Sequence, residues 1–257
     1  MPVTKEFLFA LATVAAKETL PRFRQRGTID NKYEIGFDPV TEADRAAETA
    51  IRALIEKTFP EHGILGEEHG SVRLDHDQVW VIDPIDGTRA FISGLPVWGT
   101  LIGLKEKEIA KTGLMSQPFT GELFFSLNGV SYLVKDDLEQ VLRTRETTLL
   151  KDATLFTTTP HLFKGKERER FDRLEVQVQL SRYGCDCYAY AMLAAGFIDL
   201  VVETGLKPYD IVALIPIIEN AGGVITCCDG SRPEKAGDII AAATPELHKA
   251  ALDIMNS

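Results

Sequence analysis

The densest run of chemically competent residues is Trp80-Val81-Ile82-Asp83-Pro84-Ile85-Asp86-Gly87-Thr88. An apolar, β-branched run delivers Asp83 at its carboxyl end, and Pro84 and Gly87 force a tight turn that brings Asp86 round beside it. Two crowded carboxylates repel, and only a proton or a cation relieves the repulsion. Hard oxygen ligands suit Mg2+, which typically takes a few carboxylates together with phosphate oxygens and water. Gly87 and Thr88 then open a helix or turn whose free N–H groups face an anion. The plainer reading is an Asp-Pro-x-Asp-Gly loop that caps a strand.

Three other segments carry acids in suggestive places. Gly66-Glu67-Glu68-His69-Gly70 follows a short apolar strand and reads either as a ligand loop or as a solvated turn. Thr41-Glu42-Ala43-Asp44 has capping-box spacing, so Asp44 is a helix cap or a catalytic acid. Lys207-Pro208-Tyr209-Asp210-Ile211 puts Asp210 in the first turn of an apolar helix, where an acid ordinarily complements the helix dipole. There is no Gly-x-Ser-x-Gly elbow and no C-x5-R loop to supply a nucleophilic side chain.

These segments need elements to hold them. Phe7, Leu8, Leu11, Val14 and Ala15 recur at helical spacing, and Pro21 closes the pattern. Residues 27–39 read as a loop or short hairpin. A second helix follows Thr41, with Ala46, Ala47, Ala50, Ile51, Leu54 and Ile55 as its apolar face and Pro60 at its end. Strands are predicted at 63–66, 78–83, 97–105, 108–116, 121–127 and 130–134, with Asn128-Gly129 as a hairpin signal. Beyond them the pattern predicts strands at 153–158, 197–203, 223–227 and 238–243. Helices are predicted at 164–176, 184–195, 209–221 and 245–255, and Pro216 should kink the third of these. The expectation is a layered α/β (α+β) protein in one domain over residues 1–257, with subdomains of roughly 1–150 and 151–257.

The composition is that of a globular chain: 257 residues, 45% hydrophobic and 26% charged. Its 28 Lys and Arg face 38 Asp and Glu, a net charge of -10, which excludes a general affinity for the nucleic-acid backbone. No apolar run reaches membrane-spanning length, and residues 1–6 lack a signal-peptide layout, so a cytoplasmic location is expected. Cys185, Cys187, Cys227 and Cys228 do not match zinc spacing and read as reduced thiols. His69 reads as an exposed loop residue and Trp98 as core.

Taken in order, the four acidic segments resemble the inositol monophosphatase family of Mg2+-dependent, lithium-sensitive phosphatases. Its two signatures are similar to Trp80 through Thr88 and to Lys207-Pro208-Tyr209-Asp210-Ile211 through Ala221-Gly222-Gly223. The resemblance implies a layered αβαβα sandwich of the inositol monophosphatase/fructose-1,6-bisphosphatase type, a homodimer, and two to three Mg2+ per site. It implies that Glu67, Asp83 and the Ile85 carbonyl hold the first ion, and that Asp83, Asp86 and Asp210 hold the second. A third, weaker ion would sit near Glu67. The Gly87 and Thr88 N–H groups would cradle phosphate, and a water polarised through Glu67 and a Thr88–Asp44 pair would attack phosphorus in line. Two ions ~3.5–4 Å apart can neutralise both the attacking and the leaving oxygen.

For the leaving group, the resemblance points to Arg182, Asp186 and Glu203. Inositol-specific members usually carry a small residue in place of Asp186, Thr or Lys in place of Arg89, and Trp in place of Tyr209. The segments 89–100 and 181–189 look most like the histidinol-phosphate phosphatase branch, which serves the penultimate step of histidine synthesis. Histidinol phosphate carries an ammonium and an imidazole, for which Asp186 and Glu203 are suitable partners; the plainer reading of Asp186 is a helix cap after Gly184. The alternatives are an inositol 1-phosphate or nucleoside 3',5'-bisphosphate phosphatase, or a metal-binding regulatory protein without turnover.

Overall fold

The computed structural model describes residues 2–25, 29–31 and 39–257. The Thr4 hydroxyl caps helix α1 (Lys5–Thr19), accepting from the Phe7 N–H, and α1 buries Leu8, Leu11, Ala12 and Ala15. Strands β1 (Ile29–Asn31) and β2 (Pro39–Thr41) pair antiparallel. That matches the hairpin reading of 27–39; the remainder of that segment lies outside the described residues. Helix α2 (Glu42–Thr58) begins with the expected capping box.

An eight-stranded sheet follows, in the order β10-β9-β8-β7-β6-β5-β3-β4. Its strands are β3 (Gly63–Gly66), β4 (Ser71–Val72), β5 (Gln78–Asp86), β6 (Gly99–Glu106), β7 (Ile109–Gln117), β8 (Glu122–Leu127), β9 (Val130–Lys135) and β10 (Leu138–Val141). Helix α3 (Thr88–Ile92) lies between β5 and β6. The neighbours pair antiparallel except β3 and β5, which are parallel. Strand β5 outlasts its predicted end at Asp83, because an irregularity between Asp83 and Asp86 lets Asp86 pair again with Gly99. The exposed edge strand β10 has no apolar alternation and escaped the sequence reading.

The second sheet has the order β12-β11-β13-β15-β14. It comprises β11 (Thr154–Thr157), β12 (Leu180–Tyr183), β13 (Leu200–Leu206), β14 (Val224–Cys227) and β15 (Gly237–Ala242), accompanied by helices α4 (Gly165–Glu175), α5 (Asp186–Ala194), α6 (Pro208–Ile211), α7 (Leu214–Glu219) and α8 (Pro245–Met255). Strand β13 starts later than predicted because residues 196 and 197 finish α5. The Gly196 N–H donates to the Leu193 carbonyl and the Phe197 N–H to the Met192 carbonyl, a glycine-terminated helix end.

The layers run α1 and α2, first sheet, α5 to α7, second sheet, α4 and α8, the expected αβαβα sandwich. Among the described residues no helix is long and apolar enough to cross a membrane. The middle layer decides where the site can form. The predicted helix over 209–221 is broken into α6 and α7 at Val212 and Ala213. Pro216 explains the position of the break, since it lacks an N–H for the Val212 carbonyl and its ring crowds that carbonyl.

The break packs against the first sheet where Gly103 and Gly113 face each other across β6 and β7. A Cβ on Gly103 would lie 2.8 Å from the Ala213 nitrogen, and one on Gly113 would lie 1.9 Å from the Ala213 oxygen. We therefore expect Gly113→Ala to destabilise by about 3 kcal/mol, the upper end of overpacking, or ~6–12 °C for a chain of this size. An unchanged melting temperature would contradict this packing. Because the central apolar cluster mixes residues of both sheets, we propose that the two subdomains unfold together. The same melting curves test this, and two separated transitions would refute it.

Candidate active site

Strand β5 is buried until its carboxyl end, and Asp83 there is 2% exposed. The turn beyond it is held in place by backbone contacts. Asp83 Oδ1 accepts from the Ile85 N–H at 3.0 Å, and the Thr100 hydroxyl donates to the Pro84 carbonyl at 2.8 Å. Asp86 Oδ2 accepts from the Cys187 N–H at 2.6 Å, which ties the end of β5 to the start of α5. Asp210 arrives on α6, where its Oδ2 accepts from the Lys207 N–H at 2.7 Å. The capping role of Asp210 is thus real, and it leaves the side chain among other acids. Carboxylate oxygens of Asp83, Asp86 and Asp210 all lie within 4.8 Å of one another, the one such group among the described residues.

Burial pushes the Asp83 carboxyl well above the usual range, and the nearby Glu67, Asp86 and Asp210 add to it. Glu67 is close enough to share a hydrogen bond with Asp83. Asp86 is raised in the same way, first by burial and then by Asp186 and Asp210, against the lowering effect of Cys187. Ionising this cluster without a counter-charge is unfavourable, and protons or a cation must compensate. The donor set consists of oxygens alone, crowded and poorly solvated. Its chemistry fits a hard divalent cation such as Mg2+ better than a softer metal.

Helix α3 opens just after Asp86. Gly87 precedes it at φ 81°, a left-handed conformation that suits glycine, and the first intrahelical bond there is from the Phe91 N–H to the Gly87 carbonyl. The Gly87 and Thr88 N–H groups therefore have no intrahelical acceptor. The Thr88 hydroxyl donates to the Ile85 carbonyl at 3.1 Å. This corrects the expected Thr88–Asp44 pair. A hydroxyl has one proton to give, and Asp44 Oδ2 instead accepts from the N–H and hydroxyl of Thr41. Asp44 is a buried cap whose pKa burial pushes up to about 6, against the hydrogen bonds from Thr41.

Glu67, Asp86, Thr88, Asp186, Glu203 and Asp210 line one cleft of about 410 Å3. A larger cavity of about 740 Å3 beside β14 and α8 contains none of these residues. Asp186 has φ 41°, and its carboxylate lies so close to Gly87 that a Cβ there would meet Asp186 Oδ2 at 3.2 Å. Burial raises the Asp186 pKa, while the Thr158 hydroxyl and Arg89 oppose that. Arg89 is thus a neighbour of Asp186. Glu203 is 2% exposed and accepts from the Thr158 N–H. Burial pushes its pKa up to about 8 despite that bond.

Arg182 does not join them. It stands exposed on the edge strand β12 and is not part of the cleft lining; the strand itself, polar and short, was not anticipated. His69 is exposed, with Nε2 lying 3.0 Å from both the Thr49 hydroxyl and the Arg45 carbonyl. Trp98 is fully buried, and all four cysteines are free. Sequence reasoning missed Thr158, which contacts both Asp186 and Glu203. It also missed Tyr190, a buried wall of the cleft whose hydroxyl finds no partner among the described residues. Thr158 carries no sequence signal, whereas Tyr190 stands one helical turn beyond Asp186.

The model of the inositol monophosphatase family matches residues 2–257. The chain is 41% identical over 256 residues to the bifunctional phosphatase IMPL2, chloroplastic, of Arabidopsis thaliana, covering 95% of this chain and 72% of that one. It is 35% identical over 219 residues to the histidinol-phosphatase of Chlorobaculum parvum, covering 85% and 82%. Among solved structures, an inositol monophosphatase from Zymomonas mobilis superposes with a TM-score of 0.87 at 40% identity, covering 98% of this chain and 97% of that one.

Proposed function

We propose, from the premise that this chain belongs to the inositol monophosphatase family, that it is a Mg2+-dependent phosphatase hydrolysing L-histidinol phosphate to L-histidinol and phosphate. The observation that carries the reading is that the Asp83, Asp86 and Asp210 cluster adjoins the Gly87–Thr88 turn at one cleft, which Asp186, close beside Gly87, and Glu203 also line. The histidinol-phosphatase relatives support the choice of substrate. The Zymomonas mobilis structure favours inositol 1-phosphate as the second reading.

In this proposal Glu67, Asp83 and the Ile85 carbonyl would hold one divalent ion, and Asp83, Asp86 and Asp210 would hold another. A further, weaker ion would belong on the Glu67 side. Bound there, such ions would supply positive charge for the reacting phosphate and would lower the pKa of water at neutral pH. The chain's own groups do the rest. The Gly87 and Thr88 N–H groups bind phosphate oxygens, and the Thr88 hydroxyl, on the Ile85 carbonyl, keeps the turn in shape. Glu67 orients the attacking water and takes its proton as the new P–O bond forms, while the ester P–O bond breaks and the leaving oxygen gains a proton from solvent. Asp44 is assigned to the helix cap, and Arg182 has no part.

The leaving group meets Asp186 and Glu203. Glu203 is largely protonated at neutral pH in the free cleft, and a cation brought beside it draws the carboxyl back toward its charged form. An ammonium or imidazolium gains from both acids, whereas a neutral polyol gains little. The test is hydrolysis of histidinol phosphate and inositol 1-phosphate under identical conditions with Mg2+. We expect at least a tenfold preference in kcat/KM for histidinol phosphate, largely lost in Asp186→Ala while turnover of a generic aryl phosphate stays within threefold. A tenfold preference for the inositol ester would overturn the assignment.

A further inference from the structure

Glu67 lies on the loop between β3 and β4, and the structure shows what fixes that loop. The Glu67 N–H donates to the Ile82 carbonyl at 3.2 Å, which anchors it to β5 one residue before Asp83. The next residues are held from the other side by Glu48 of α2. Glu48 Oε2 accepts from the Glu68 N–H at 2.7 Å, and Oε1 accepts from the His69 N–H at 3.1 Å and from Arg52 Nε at 2.6 Å. Arg52 donates in turn to the Gly70 carbonyl.

A helical Glu and Arg four residues apart normally form a solvated pair of little consequence. Here the Glu48 side chain is 0% exposed and that of Arg52 12%, and both are spent on the loop over residues 68–70. Their fit is tight enough to exclude a side chain at Gly66, where a Cβ would lie 1.9 Å from Glu48 Oε1. Charge-assisted bonds to a buried carboxylate are directional and among the stronger hydrogen bonds. Glu67 is thereby held between two rigid elements, strand β5 and helix α2.

We propose that Glu48, braced by Arg52, is a positioning residue that sets Glu67 against Asp83 and so governs the affinity of the Glu67 side of the cleft for a divalent cation. The inference rests on the reading of Glu67 as a metal ligand. Partners that orient a ligand from behind typically change metal affinity by ~10–100-fold when removed. Glu48→Gln keeps the volume but loses the charge that gathers three donors.

The experiment is calorimetric titration of Mg2+ into metal-free wild type and Glu48→Gln, paired with the Mg2+ dependence of hydrolysis of a generic aryl phosphate. Expected are a ten- to hundredfold weakening of cation binding and a matching rise in the Mg2+ needed for half-maximal rate. At saturating Mg2+, kcat should return to within threefold of wild type, and a melting temperature in EDTA close to that of wild type separates this from a merely unstable variant, which Mg2+ would also rescue. If Glu48→Gln does not fold, Arg52→Gln serves instead, with at least a threefold weakening expected. Unchanged Mg2+ affinity in the folded variant, or a kcat loss that saturating Mg2+ leaves in place, overturns the positioning role alone. Wild type that binds no Mg2+ overturns the metal reading of the cleft and this inference with it.

Discussion

Asp83→Asn is expected to lower kcat by roughly a hundred- to a thousandfold, the scale of losing one preorganised electrostatic group, while raising the melting temperature of the metal-free protein at pH 8. The two halves have one cause. Asp83 is buried, faces Glu67, Asp86 and Asp210, and has a strongly raised pKa. Its charged form is therefore a cost to the fold, which is tolerated because a cation site needs that charge. An amide keeps the volume, and its oxygen can still accept from the Ile85 N–H now held at 3.0 Å. Repulsion falls, and one ligand charge shared by both proposed ion sites is lost. Such opposition between stability and activity is usual where function demands a strained constellation. Steady-state kinetics with thermal melts in EDTA check both halves, and retained activity would remove Asp83 from the site.

The second large effect is a metal-dependent reversal of how stability follows pH. Glu203 has a folded pKa of about 8 and Asp44 one of about 6, both above their ordinary values, and Asp83 and Asp86 are raised as well. These four groups therefore bind more protons in the folded, metal-free chain than in the unfolded one across this range. Their contribution to stability is full below the ordinary carboxylate pKa values and falls as pH rises through the folded ones, while His62 and His248, lowered by burial, contribute in the opposite sense. In EDTA the melting temperature is expected to drop between pH 5.5 and 8. Mg2+ at about a hundred times its Kd adds ~2.7 kcal/mol, or about 5–11 °C. That gain should shrink toward pH 5.5, where protons compete for the same carboxylates. A stability curve indifferent to Mg2+ at pH 8 would count against a cation site.

The parts of the site that sequence alone revealed are those set by local geometry. Asp83, Pro84, Asp86 and Gly87 form a strand end and a turn, and spacing within nine residues is enough to show that two acids converge. Asp210 was found on a helix start because its capping position is itself a local rule. What remained hidden depends on packing between distant segments. Glu48 reads in the sequence as one more charge on a helix, yet α2 turns it inward onto the loop over residues 68–70. Thr158 reaches Asp186 and Glu203 only because β11 lies beside both β12 and β13. The position of Arg182 outside the cleft lining and the missing Thr88–Asp44 pair have the same reason: sequence order does not say which way an edge strand presents a side chain, or which acceptor a hydroxyl meets first. The break at Val212 was foreseen as a kink from Pro216, but the room it needs, against Gly103 and Gly113 of the facing sheet, was not.

The net charge of -10 would seem to oppose a phosphate ligand. In the cleft the opposition is sharper still, since Glu67, Asp86, Asp186, Glu203 and Asp210 all line it. A bound cation is often the largest local charge and can invert the sign that an anion meets. The most direct test is calorimetric titration of inorganic phosphate into the protein in EDTA and again in saturating Mg2+. No measurable phosphate binding is expected in EDTA, and clear binding with Mg2+ present. Phosphate binding of equal strength without the metal would contradict it.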